Sequence, residues 1–282
     1  MKPEPGLVQL GEKPRPVHGT SARPNNRAAY AKNVVIFTSG KGGVGKSTVA
    51  VNVASILAQR GLRVGVLDAD VYGPSVPRLL QLKDARLVWN DRDQMVPAEN
   101  FGIKVMSVGM TTPEADTPLA WRSAVATSAL VQLLDDVAWG ELDFLIVDMP
   151  PGTGDVQLTF TQEVRIAAAV VVTTPQVVAT DDVRRALRML LEIRVPVAGV
   201  VENLSCFEAP DTGQRYYPFG QGGGRKLAEE YGVSLLGELP MDGEVRVAGD
   251  EGFPSVLRAG PGWRATMEQI TDGILASPGI KP

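Results

Sequence analysis

Residues 40–48, Gly-Lys-Gly-Gly-Val-Gly-Lys-Ser-Thr, constrain this chain more than any other stretch. An apolar run, Val34 to Phe37, precedes them, and small and apolar residues from Val49 to Leu57 follow. Strand, glycine-rich loop, helix is the setting in which G-x-x-x-x-G-K-[ST] acts as a phosphate loop. Gly40, Gly42, Gly43 and Gly45 permit backbone angles closed to other residues, so successive N–H groups can wrap polyphosphate oxygens. Val44 and Thr48 belong to the same nucleotide-binding stretch. The helix that begins here adds its N-terminal partial positive charge. Lys46 is placed to reach the β and γ phosphates, and Ser47 offers a hydroxyl to Mg²⁺. Lys41 is not needed to build the cradle, which points to a separate charge-stabilising task.

Composition sets limits on the rest. Of 282 residues, 44% are hydrophobic and 21% charged, as in ordinary globular chains. A net charge of −4 advertises no nucleic-acid partner. No apolar run approaches the roughly 20 residues that span a bilayer, and the N-terminal Met1-Lys-Pro-Glu-Pro lacks a signal-peptide core. With one cysteine, Cys206, no disulfide framework is available. A cytoplasmic location is expected, with neither nucleic acid nor membrane as partner. Residues 1–30, rich in Pro, Gly, Arg and Asn, read as a flexible tail containing the single histidine, His18. Residues 31–282 read as one domain.

From residue 33 short β-branched runs alternate with helical stretches. Strands are expected at 34–37, 63–67, 87–89, 103–106, 144–147, 168–172, 197–201 and 234–236. Helices are expected at 47–59, closed by Gly61, at 123–138, from a cap at Thr180 or Asp181 to Ile193, at 222–231 and at 262–275. Continuous apolar strands separated by helices predict an α/β fold: a doubly wound, mostly parallel sheet with helices on both faces, of the P-loop NTPase type.

Four further constellations fall at predicted strand ends, where open α/β sheets bind ligands. Asp68 and Asp70 could serve Mg²⁺ and the attacking water. Asp148 follows four apolar residues, the Walker B arrangement that delivers a carboxylate to the Mg²⁺ shell. After it, Pro151-Gly152-Thr153-Gly154-Asp155 couples stiffness to glycine hinges, which suits a loop that moves with the γ-phosphate. Asn203 carries an amide able to pair with adenine. Asn-Lys-x-Asp, usual in guanine-selective proteins of this kind, is absent, so ATP is favoured over GTP. Finally, Leu239 to Asp242 and Asp250 to Pro254 read as a loop near the base.

These residues resemble the deviant Walker A ATPases that include MinD, ParA and nitrogenase iron protein. Within that group the chain is similar to the Mrp-type iron–sulfur cluster carriers. The likeness rests on Asp68-Ala-Asp-Val-Tyr-Gly-Pro-Ser-Val-Pro, Trp121-Arg122, Val137 to Asp155 with its Trp-Gly-Glu-Leu-Asp and Pro-Pro-Gly-Thr-Gly-Asp, Glu202-Asn-Leu-Ser, Pro218-Phe-Gly and Leu239-Pro-Met-Asp, across about residues 32–275. The resemblance implies a homodimer with two ATP molecules at the interface. Lys41 would reach the partner's nucleotide, Asp70 would position water, and Asp68, Ser47 and Asp148 would serve Mg²⁺. Gly152 to Asp155 would report the γ-phosphate, and Asn203 would touch adenine. It also implies a [4Fe–4S] cluster held between subunits and passed to apo-proteins or an assembly scaffold. The Cys-x-x-Cys of many relatives aligns with Ala209 and Thr212, leaving Cys206 as the sole candidate thiolate.

A second reading, a MinD- or ParA-like switch or a cluster-free regulator working through a partner, needs different surfaces. A membrane helix requires a basic face, and Arg264 is the only basic residue beside the stripe of Trp263, Met267, Ile270, Ile274 and Leu275. That stripe is expected to pack inward. An electron donor like nitrogenase iron protein would need two cysteines per subunit and is set aside.

Overall fold

A computed structural model describes residues 26–71, 73–111 and 123–282. His18, Trp121 and Arg122 lie outside the described residues, as does most of the expected tail. Residues 26–30 already belong to the folded body: Ala28 is fully buried, and Tyr30 stacks on Trp139 at 6.2 Å between ring centroids.

The chain begins with β1 (Ala31–Ser39), the phosphate loop and α1 (Lys46–Gln59), followed by β2 (Val64–Asp68) and a single turn, α2 (Val76–Leu79). A small excursion comes next: β3 (Val88–Trp89), β4 (Met95–Val96), β5 (Ala98–Asn100) and β6 (Ile103–Ser107). Then α3 (Ser123–Asp135), β7 (Leu142–Asp148), α4 (Asp155–Glu163), β8 (Ala168–Thr173), α5 (Val177–Glu192) and β9 (Val197–Glu208) alternate. The chain closes with β10 (Arg215–Tyr216), α6 (Gly223–Tyr231), β11 (Leu235–Met241), α7 (Gly243–Glu251) and α8 (Pro261–Leu275).

Among the described residues, nine strands form the main sheet in the order β10-β9-β8-β1-β7-β2-β6-β5, with β11 also paired to β9. All pairings are parallel except β5 with β6 and β10 with β9. Because β1 lies between β7 and β8, the phosphate loop leaves the middle of the sheet flanked by the Asp148 strand. Alternation along β1 sends Val34 and Ile36 to one core and Val35 and Phe37 to the other. Helices α3 to α6 cover the first face, whereas α1 and α8 cover the second. The stripe on α8 packs inward as expected: Trp263, Met267, Ile270 and Ile274 are all buried, with Leu275 beside them.

Several boundaries differ from expectation. Helix α5 starts at Val177 with Gln176 at its N-cap, not at Thr180 or Asp181. Thr180 Oγ1 donates back to the Val177 carbonyl, while Asp181 and Asp182 pair with Arg184 and Arg185, so none of the three caps. Strand β9 runs seven residues past the expected 201, through a left-handed Leu204 at φ 56°. Three helices lie outside the sequence expectation, the single turn Val76–Leu79 and two longer ones. Asp155–Glu163 follows the glycine loop directly. Gly243–Glu251 replaces much of the expected loop, with Asp242 accepting from Glu244 N at 2.7 Å and Gly252 closing it.

Candidate nucleotide site

The parallel register brings the acidic residues together. Asp148 lies opposite Phe37 of β1 on one side and Asp68 of β2 on the other. Both carboxylates end buried strands and are fully enclosed. Lys46, at the first turn of α1, turns inward: its Nζ lies 2.6 Å from Asp148 Oδ1 and 3.8 Å from Asp70 Oδ2. Ser47 Oγ donates to Asp148 Oδ2 at 2.5 Å. Asp68 accepts from Asp70 N, Val76 N and Ser107 Oγ at 3.1–3.2 Å, which fixes the turn that carries Asp70.

Asp68 and Asp148 are two buried carboxylates near one ammonium, Lys46, which pairs directly with Asp148 and Asp70. Burial and then the neighbouring Asp148 charge push Asp68 up to about 8, and burial also raises Asp148. A dication would relieve that excess of negative charge, and Ser47, Asp148 and Asp68 would offer it hard oxygen donors of the kind Mg²⁺ takes. The residues present therefore fit the metal expected of them.

The loop itself shows why glycine is required at particular positions. Gly45 has φ 85°, and a Cβ there would lie 2.2 Å from Asn203 Nδ2. At Gly40 a Cβ would come within 2.5 Å of the Asp182 backbone. Gly43 is also left-handed, at φ 80°, whereas the space around Gly42 is open. Asn203, on the extended β9, donates to the Val44 carbonyl at 2.9 Å and so fastens the loop from the side. That tie was not anticipated from sequence, because it depends on β9 continuing past residue 201.

Lys41 behaves differently from Lys46. Its Nζ bonds to Gln176 Oε1 at 3.3 Å, away from the acidic cluster. Beside Gln176, Val177 and Val178 are 71% and 67% exposed, an apolar step next to this lysine. The glycine loop after Asp148 is held at two places. Gly152, at φ 91°, donates to the Ser39 carbonyl at 2.8 Å, and Gln157 Nε2 reaches the Pro150 carbonyl at 2.6 Å. Between these ties, Thr153, Gly154 and Asp155, the first residue of α4, are exposed.

Cys206 lies apart from this cluster. It is buried on β9 in the wall of a cavity of about 720 Å³, with Glu208, Arg215, Tyr217, Pro240 and Trp263 among the lining. Ala209 and Thr212 sit in the β9–β10 turn, closed by Ala209 N to Gln214 O and Gly213 N to Ala209 O. Among the described residues no group of three or more His, Cys, Asp or Glu is arranged to hold a metal by itself. One thiol per chain gives two per pair of chains, and a [4Fe–4S] cluster takes four. The thiols present do not by themselves fit such a cluster.

Comparison with known proteins agrees with this geometry. The family profile described as "ParA: NUBPL iron-transfer P-loop NTPase" covers residues 30–275. An iron-sulfur cluster carrier protein of Deinococcus radiodurans is 55% identical over 80% of this chain and 64% of its own length. The carrier protein of Aquifex aeolicus is 49% identical over 80% of this chain and 62% of its own. The chain thus spans a little under two thirds of those two relatives. A nucleotide-binding protein of Archaeoglobus fulgidus, solved with ADP, superposes with a TM-score of 0.72 at 37% identity, covering 84% of this chain and 93% of that one. The cell-division ATPase MinD of Pyrococcus furiosus, at 20% identity and a TM-score of 0.62 over 86% of this chain and 98% of its own, shares the fold. With its phosphate loop, paired aspartates and sheet order in place, the chain belongs to the ParA family of NUBPL iron-transfer P-loop NTPases.

Proposed function

We propose that this protein binds and hydrolyses ATP as a homodimer and uses the cycle in iron–sulfur cluster supply, binding and transferring clusters to apo-proteins or supporting their assembly. The observation that carries the ATPase reading is the convergence of Lys46, Ser47, Asp148, Asp68 and Asp70 at the mouth of the loop. In this reading the backbone N–H groups of residues 40–48 hold the phosphates, and Lys46 leaves Asp148 to bind the β and γ oxygens. Asp148, Ser47 and Asp68 would hold Mg²⁺, which would supply charge neutralisation at the phosphates. Asp70 orients a water in line with the γ-phosphorus. As the bond to the leaving oxygen breaks, charge develops, and Lys41 of a second copy swings from Gln176 to offset it. Asn203 keeps the loop in place and turns its remaining amide hydrogen and oxygen toward the base.

The cluster part is supported by the names of the relatives, iron-sulfur cluster carrier proteins in Aquifex and Deinococcus. A mitochondrial relative in Arabidopsis is named as required for NADH dehydrogenase. Clusters enter here as cargo. Because Cys206 is the sole thiol, acidic or exogenous ligands or a partner's cysteines would have to complete a cluster, and this favours a second reading: a cluster-free ATPase switch acting through a partner that carries the cysteines. Cytoplasmic residence is the proposed location; among the described residues no helix is long and apolar enough to cross a membrane.

Phosphate release with Mg-ATP, followed for wild type, Lys41→Ala and Asp70→Ala, tests the first part. Both variants should retain ATP and lose at least about tenfold in turnover, and Asp70→Ala should elute as an ATP-dependent dimer. Wild-type turnover in Lys41→Ala would remove the cross-subunit role. Anaerobic reconstitution with iron and sulfide separates the cluster readings. About four irons per two chains, lost in Cys206→Ala, indicates a carrier with supplementary ligands. No retained iron beside intact turnover indicates the switch.

A further inference from the structure

The side chain of Gln157 occupies a position that no motif singles out. It is 98% buried, in the first turn of α4, and its single amide nitrogen donates twice: to Thr38 Oγ1 at 3.1 Å and to the Pro150 carbonyl at 2.6 Å. Thr38 stands two residues before the phosphate loop, and Pro150 two residues after Asp148. One nitrogen thus joins the strand that feeds the loop, the strand that delivers the carboxylate, and the helix that follows the glycine segment. The upstream half of that segment is tied separately by Gly152 N to Ser39 O. What remains between the two anchors is the exposed Thr153-Gly154-Asp155, and α4 starts from Gly154 with no side-chain cap.

The chemistry asked of residue 157 is specific. Two buried acceptors must be met by one uncharged group bearing two hydrogens, which only a primary amide supplies without burying a charge. Asparagine is one methylene too short to span the same gap. Glutamate has the same shape but, when ionised, presents oxygens to the Pro150 oxygen.

We propose that Gln157 is the positioning residue of the glycine loop: it locks α4 and Pro150 to β1, so that γ-phosphate arrival moves residues 153–155 and not the whole helix. This inference rests on the ATPase reading above and deepens it. Gln157 touches no nucleotide in this account and acts through the loop.

The test uses the full chain as wild type, Gln157→Glu and Gln157→Leu. ATP affinity, kcat and KM are measured together with amide exchange over residues 149–158. Both variants should bind Mg-ATP within about twofold of wild type, lose at least tenfold in kcat, and exchange faster over 152–157. Turnover by Gln157→Glu should recover relative to wild type as pH falls from 8 to 6, because a buried carboxyl facing oxygens takes up a proton and regains one donor. A role in packing alone predicts that the equal-volume Glu variant turns over like wild type at every pH, and that result overturns the proposal. So does a parallel loss of affinity and kcat. Where Gln157→Leu fails to fold, Thr38→Val deletes one acceptor at constant volume and should lower kcat about threefold; unchanged kcat contradicts the tether. If wild type binds no Mg-ATP, the ATPase reading itself fails. The tether is then judged by exchange in nucleotide-free protein, where faster exchange over 150–156 in Gln157→Glu supports it and unchanged exchange overturns it.

Discussion

Gly45 shows how much function depends on the absence of one carbon. Its left-handed backbone strains any residue with a Cβ, and a Cβ there would come 2.2 Å from Asn203 Nδ2 and push that side chain aside. Gly45→Ala should cost about 1–2 kcal/mol in stability from the backbone alone, and should weaken ATP binding because Asn203 must leave the Val44 carbonyl. Urea unfolding and nucleotide titration check the two parts. The residues of the loop were legible because each has a proposed chemical duty at fixed spacing: glycine for approach, Lys46 toward phosphate, Ser47 toward metal. Asp148 was legible for a related reason, as a charge ending an apolar run. Gln157 was not, since a lone amide in a mixed polar stretch carries no periodicity and its partners lie 119 and 7 residues away.

Among the elements, α8 illustrates a face that the sequence already assigned. Its stripe could have served a membrane, but only one basic residue flanks it, and the structure packs it against α1 and β11. Ile270→Ala should therefore cost about 2–4 kcal/mol of stability, and anionic liposomes should retain neither form. Strand β9 gives a second, pH-dependent case. Glu202 is buried and accepts from Gly224 N at 2.5 Å; burial raises its pKa above the usual value, and that hydrogen bond opposes the rise. The folded chain then holds this proton at pH values where the unfolded chain has lost it, so the stability contribution is full below the unfolded pKa near 4.5 and declines as pH rises. Glu202→Gln, which keeps the acceptor, should gain on wild type in unfolding midpoint between pH 4 and pH 7.5. An unchanging difference would contradict this. Helices α4 and α7 escaped the sequence reading for a physical reason. Asp-Val-Gln-Leu-Thr-Phe-Thr-Gln-Glu and Gly-Glu-Val-Arg-Val-Ala-Gly-Asp-Glu carry alternating or β-branched residues, and their helicity comes from the packing of Val156, Phe160 and Ala248 and from the Asp242 cap. Tertiary contact outweighed local propensity there.

For the whole molecule, the α/β class and the alternation of strands with helices followed from apolar runs, but the sheet order did not. That order comes from which strands share a register, and it is this order that sets Asp68 and Asp148 side by side next to Lys46. On the reading proposed above, this shared mouth is a Mg-ATP site. Calorimetric titration of ATP into the full chain tests it most directly, with and without Mg²⁺, alongside Lys46→Ala. One nucleotide should bind per chain, at least about tenfold more weakly after Mg²⁺ is removed with EDTA and at least about 100-fold more weakly in Lys46→Ala. Equal affinity in wild type and Lys46→Ala would contradict it.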